Sequence, residues 1–126
     1  MRAVDTNVLV RLVTRDHRRQ VAAAESFVSK GAWVSTLVLM EATWVLTAVY
    51  ELTRAQISTA IDMLLRHRDL TIQEADCVAA ALVQYRSQSR LGFSDCLILE
   101  VARKAGHLPL GTFDRGLSKL DGAERL

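Results

Sequence analysis

Four acidic residues in this chain have a spacing and context that could do chemistry. They are Asp5 in "MRAVDTNVLVRLV", Glu41 in "STLVLMEATWVL", Asp95 in "GFSDCLILEVARKAG" and Asp114 in "LGTFDRGL". Asp5 ends an apolar run that reads as a buried strand and precedes a run that reads as a buried helix. Asp95 and Asp114 also stand where helices open, so all three have a plain structural account as N-caps or first-turn acids. Glu41 has no such account. It lies mid-helix, and its neighbours one turn away are Leu37, Val38, Trp44 and Val45. No Lys or Arg stands three or four residues away to pair with it. A carboxylate buried on such a face needs compensation, from a metal or from a buried hydrogen bond to a backbone or Ser/Thr group. Carboxylates gathered at one sheet edge repel each other, and a divalent cation removes that repulsion. All-oxygen ligation suits Mg²⁺, with Mn²⁺ as a substitute, rather than zinc or copper. Thr6, Asn7, Ser94 and Thr112 stand beside the acids and are placed to orient them by hydrogen bonds.

The elements that must position these acids alternate between strand and helix. Strands are expected at 2–4, 32–35, 70–73 and 108–112, with a further one at the C-terminal "ERL". Helices are expected at 6–13, 17–30, 36–50, 52–67, 74–88 and 92–106, with a short last one at 114–120. Val21, Ala24, Phe27 and Val28 share one helix face. Gly31 closes that helix, Ser35 or Thr36 caps the next, and Thr53 caps the one after. Pro109 belongs at the first positions of its strand or at an edge. This alternation predicts an α/β chain, a three-layer αβα sandwich around a central parallel sheet of four to five strands. In such sheets ligands bind at the carboxyl ends of the strands, where Asp5 falls.

The chain has 126 residues, half of them hydrophobic and 24% charged, which fits one folded domain over 1–126. No run is long and charge-free enough for a membrane span, and no signal peptide is visible, so the expected location is the cytosol. Cys77 and Cys96 lie in apolar helical patterns and read as reduced, buried thiols. No Cys/His spacing suits zinc. His17, His67 and His107 are scattered and read as surface residues. The net charge is +2, and most of the basic residues are Arg. Most read as solvated helix faces. Arg11, Arg15, Arg86, Arg90 and Arg115 are the candidates for a phosphate-binding rim, because a guanidinium forks onto phosphate oxygens. Helix 36–50 is apolar on nearly every face, which points to a subunit or partner interface with Trp44 and Tyr50 as anchors, though Trp44 serves equally well as core.

"DTNVLVRL", "STLVLMEATWVL" and "FSDCLILEVARKAGHLPLGTFDRGL", together with the length, resemble the PIN domains. Among these, the chain is most similar to the VapC-type toxins of bacterial type II toxin–antitoxin pairs. The family's acids fall on Asp5, Glu41, Asp95 and Asp114, its polar residue near the first Asp on Asn7, and its Thr before the last Asp on Thr112. Residues 52–90 carry no family motif. The resemblance implies a Mg²⁺-dependent endoribonuclease that uses the four acids as metal ligands and catalytic groups. It also implies a small cognate antitoxin lying across the active-site groove, and a homodimer.

Other readings fit less well. A receiver-like domain wants paired acids after its first strand, and a DxD phosphatase wants an acid where Asn7 stands. An RNA-maturation nuclease is the nearest enzymatic alternative. A non-catalytic module that binds through an acidic cleft is the alternative from another class.

Overall fold

Most helices here begin where the sequence supplies a side-chain acceptor for their free N–H groups, and these starts fix where the acids stand. The computed structural model describes all 126 residues. In chain order the elements are β1 (Arg2–Ala3), α1 (Thr6–Thr14), α2 (Arg18–Val28), β2 (Ala32–Val34), α3 (Thr36–Ala48) and α4 (Arg54–Arg66). They continue with β3 (Leu70–Ile72), α5 (Ala75–Ser87), α6 (Phe93–Ala105), β4 (Leu110–Thr112), a 3-10 turn (Leu117–Lys119) and β5 (Ala123–Arg125). Asp5 caps α1 by accepting from the Val8 N–H at 3.2 Å. Ser35, rather than Thr36, caps α3. Thr53 caps α4 in a reciprocal box with Gln56. His17 is more than a surface residue, because its Nδ1 accepts from the Gln20 N–H and so caps α2.

The chain forms two compact units, Met1–Ala75 and Asp76–Leu126. In the first, β1, β2 and β3 form a parallel ladder in that order, with Ala3 opposite Trp33 and Trp33 opposite Thr71. α1 packs against α2 and α3, and α4 packs against β3. Leu9, Val10, Val28, Val34, Leu39, Leu46 and Ile61 are fully buried and make the core of this unit. In the second, β4 and β5 pair in parallel, and Tyr85 meets Phe93 edge to face. Cys77 and Cys96 are buried there and form no disulfide, as expected.

The class is α/β with parallel strands and flanking helices, as the alternation predicts. The ladder differs from expectation. Five strands form, but they bond as three plus two rather than as one sheet. They are also shorter than the apolar runs suggest. β1 ends at Ala3 because Val4 makes the last bond, its N–H donating to the Trp33 carbonyl, and Asp5 then turns the chain into α1. The last helix, expected over 114–120, is only the 3-10 turn. No helix is long and apolar enough to cross a membrane.

In the second unit, Glu100 is one of few buried charges and pairs with Arg103 one turn on. Arg103 donates in turn to the Asp121 carbonyl. A Cβ on Gly122 would lie 3.1 Å from that guanidinium. This clamp ties α6 to the turn leading into β5.

Because Leu9 is fully buried in α1, Leu9→Ala is expected to lower unfolding stability by about 2–5 kcal/mol through lost burial and a residual cavity. Urea denaturation checks this, and a loss well under that range would mean that α1 repacks freely.

Candidate metal-binding carboxylates

Parallel strands followed by helices present side chains at the carboxyl edge of the sheet. In the first unit that edge carries Asp5 after β1, Ser35 after β2 and Gln73 after β3. Gln73 ties the edge together: its N–H donates to the Val34 carbonyl at 2.9 Å, and its Oε1 accepts from the Thr36 N–H at 2.8 Å. Gln73 was not among the candidates; its place just after a strand, like that of Asp5, is the signal that could have found it. Asp5 is exposed, and one of its oxygens serves the α1 cap while the other is left for a ligand. Thr6 and Asn7 follow in the first turn of α1.

Glu41 projects from α3 and is exposed rather than buried. Leu37 and Trp44, one turn to either side of it, are exposed as well, at 82% and 65%. Water solvates the Glu41 carboxylate, so no desolvation argument applies to it. Trp44 is likewise not a core residue. Tyr50 is half-buried, and its hydroxyl donates to Asp16 and accepts from Arg11 at 2.8 Å, so it is a packing residue rather than a free anchor.

In the second unit Asp95 is the third residue of α6. The cap position is Gly92, and no side chain caps this helix. A capping role therefore does not explain Asp95. Partial burial, and then the neighbouring charge on Asp114, push the Asp95 carboxyl above its ordinary range. Asp114 does cap: its Oδ2 accepts from the Leu117 N–H at 2.7 Å. Its own backbone N–H donates to the Thr112 hydroxyl at 3.0 Å. A Cβ at position 116 would meet that same Asp114 oxygen at 3.3 Å and Leu91 at 3.2 Å, which accounts for Gly116. Ser94 is half-buried beside Asp95 in the first turn of α6.

Charge pairing separates these acids from most others in the chain. Asp16, Glu25, Asp62, Asp69, Asp76, Glu100 and Asp121 each pair with an Arg or Lys. Asp5, Glu41, Asp95 and Asp114 have no ion pair. A part-buried carboxylate with a second carboxylate beside it, and no cationic side chain to relieve it, suits a hard divalent cation with oxygen ligands. Glu74, Asp76 and Cys77 also bring ligand atoms within 4.8 Å of one another at the start of α5. There Asp76 already has Lys104 beside it, which holds its carboxyl below the usual range, and the Cys77 thiol donates to the Glu100 carbonyl. That trio is compensated where the Asp95–Asp114 pair is not.

The arginine candidates separate in the same way. Arg11 donates to Gln20, Asp16 and Tyr50, so its guanidinium is bound within the fold. Arg15 pairs with Glu25 at 2.6 Å. Arg86 has a partner within the chain. Arg90 and Arg115 are exposed and form no ion pair.

A model of the PIN domain family matches residues 2–123. No curated protein and no solved structure matches the chain.

Asp95 holds its proton more tightly folded than unfolded. Its ionisation therefore costs folding stability once pH rises past the ordinary carboxylate range, and the cost is complete above the raised folded value. In chelator, Asp95→Asn is expected to stabilise the protein near neutral pH by less than about 1 kcal/mol, since water screens the pair. The gain should vanish below the ordinary carboxylate range. Urea midpoints at the two pH values check this, and an equal gain at both would contradict it.

Proposed function

The chain belongs to the PIN domain family, whose members are typically metal-dependent nucleases, and from that premise we propose that it is a Mg²⁺-dependent endoribonuclease acting as the toxin of a type II toxin–antitoxin pair. The observation that carries the reading is the set of carboxylates without cations, in which Asp95, partly buried and capping nothing, has the Asp114 charge beside it. Asp5, Glu41, Asp95 and Asp114 are the proposed ligands. Mg²⁺, or Mn²⁺ in its place, supplies an acidified water and charge neutralisation at a phosphodiester.

The chain's own residues do the positioning. The α1 cap holds Asp5 by one oxygen and leaves the other for the cation. Leu117 does the same for Asp114, and Thr112 fixes its backbone. Asp114 completes the set, as a further metal ligand or by orienting the attacking water. The expected products carry a 5′ phosphate and a 3′ hydroxyl. No histidine base is needed, and His17 and His67 are each engaged in backbone contacts as acceptors. Arg90 and Arg115 are the proposed phosphate contacts, ahead of Arg11, Arg15 and Arg86. The exposed face of α3 with Leu37 and Trp44 supports a protein partner, which we assign to an antitoxin or a second copy of the chain. The cytosol is the proposed location.

Purified protein incubated with total cellular RNA in Mg²⁺, in Mn²⁺ and in chelator, with the new 5′ ends mapped, tests the activity. Discrete cuts that need the metal and vanish in Asp95→Asn are expected; metal-independent cutting, or none, would refute the reading. Induced expression that arrests growth, and Asp95→Asn that does not, would separate a toxin from an RNA-maturation nuclease.

Asp5 allows a sharper test, because Ser caps a helix about as well as Asp but is a poor metal ligand. Asp5→Ala is expected to cost about 1 kcal/mol of stability, and Asp5→Ser only a few tenths. Both should weaken Mn²⁺ binding and cleavage by more than about tenfold. Full cleavage by Asp5→Ser would make Asp5 a cap and nothing more.

A further inference from the structure

The turn that carries Asp114 also carries an aromatic ring with nothing on it. Of the three phenylalanines in the chain, Phe93 packs edge to face on Tyr85, and Phe27 lies under the Arg2 guanidinium at 3.8 Å. Phe113 makes neither contact and is 81% exposed. The turn holds its own shape. The Asp114 N–H donates to Thr112, the Leu117 N–H donates to the Asp114 carboxylate, and the Ser118 N–H donates to the Asp114 carbonyl at 3.1 Å. Phe113 is therefore presented from a fixed backbone, next to a proposed metal ligand. Arg115 lies two residues on, exposed and without an ion pair.

We propose that Phe113 is a stacking platform for one unpaired base of the RNA, and that Arg115 contacts a neighbouring phosphate. The substrate is then a single-stranded or looped stretch. This rests on the nuclease reading above and deepens it. An aromatic face beside a free guanidinium is the pairing that binds single-stranded nucleic acid, one group for a base and one for its backbone. A protein partner is the less favoured occupant, because the ring's neighbours in the turn, Thr112, Asp114 and Arg115, are polar or charged. A duplex is disfavoured because both faces of its paired bases are already covered.

The test compares wild type with Phe113→Tyr, Phe113→Leu and Phe113→Ala on an unstructured oligoribonucleotide and on the same sequence in a duplex. The ring is exposed, so these substitutions spare the core. Leu and Ala are expected to raise KM on the single strand by roughly tenfold, the loss of one base–aromatic stack, and Tyr to restore it. Binding of a 2-aminopurine oligoribonucleotide to the Asp95→Asn protein should quench fluorescence. The quench should persist with Phe113→Tyr and disappear with Phe113→Leu. Arg115→Gln should flatten the salt dependence of binding by about 0.7 in log–log slope, one single-strand phosphate. An unchanged KM in the Ala variant, Leu matching Tyr, or the duplex cut as readily as the single strand would overturn the proposal. If wild type cleaves nothing, the nuclease reading fails, and the fluorescence measurement still decides whether Phe113 stacks on a base.

Discussion

Carboxylates without a cation repel, and the candidate site is arranged around that constraint. Half of the fourteen acids of this chain sit beside an Arg or Lys, and Asp5, Glu41, Asp95 and Asp114 are among those that do not. Asp95 is the clearest. It is partly buried, it caps nothing, and the charge of Asp114 stands against its own. A chain folding for stability alone gains nothing from such a pair, and an amide or hydroxyl there would serve the fold better. Under the proposed function, a bound cation would turn the same proximity, a cost in the metal-free protein, into ligation.

The way the acids are held follows from helix starts. The free N–H groups of a first turn fix a carboxylate by one oxygen and leave the second available. Asp5 and Asp114 are both held in this way, by Val8 and by Leu117. Capping and metal binding are thus compatible uses of one side chain, and the capping bond orients the other oxygen. Glu41 follows a different rule. It stands on the solvent side of α3, where hydration carries its charge.

The remaining polar groups of the first unit stiffen the frame. Arg11, Asp16 and Tyr50 form a connected set that joins α1 to the residues after α3. This removes Arg11 from the pool of free cations, and it removes Tyr50 from the exposed face of α3. That face keeps Leu37 and Trp44 in water, an arrangement suited to a protein partner.

Much of this was legible in the sequence. The alternation of strand and helix, the caps at Ser35 and Thr53, the buried thiols and the acids at helix starts all follow from local rules of spacing, propensity and hydrogen-bond demand. Those rules act within a few residues, so one sequence carries them. Other features required the tertiary structure, because they depend on groups far apart in the chain or on which face meets water. Periodicity could not show that α3 leaves its apolar stripe exposed, since a helix apolar all round gives no preferred face. Composition could not separate Arg11 from Arg115, because Arg11 is held by Asp16, Gln20 and a tyrosine 39 residues away, which only the fold brings together. Spacing could not show that the strands would bond as three plus two, because ladder hydrogen bonds join distant segments. The sequence by itself determined which acids were candidates. The tertiary structure decided which of them stand without a cation, because pairing depends on distance in space and not along the chain.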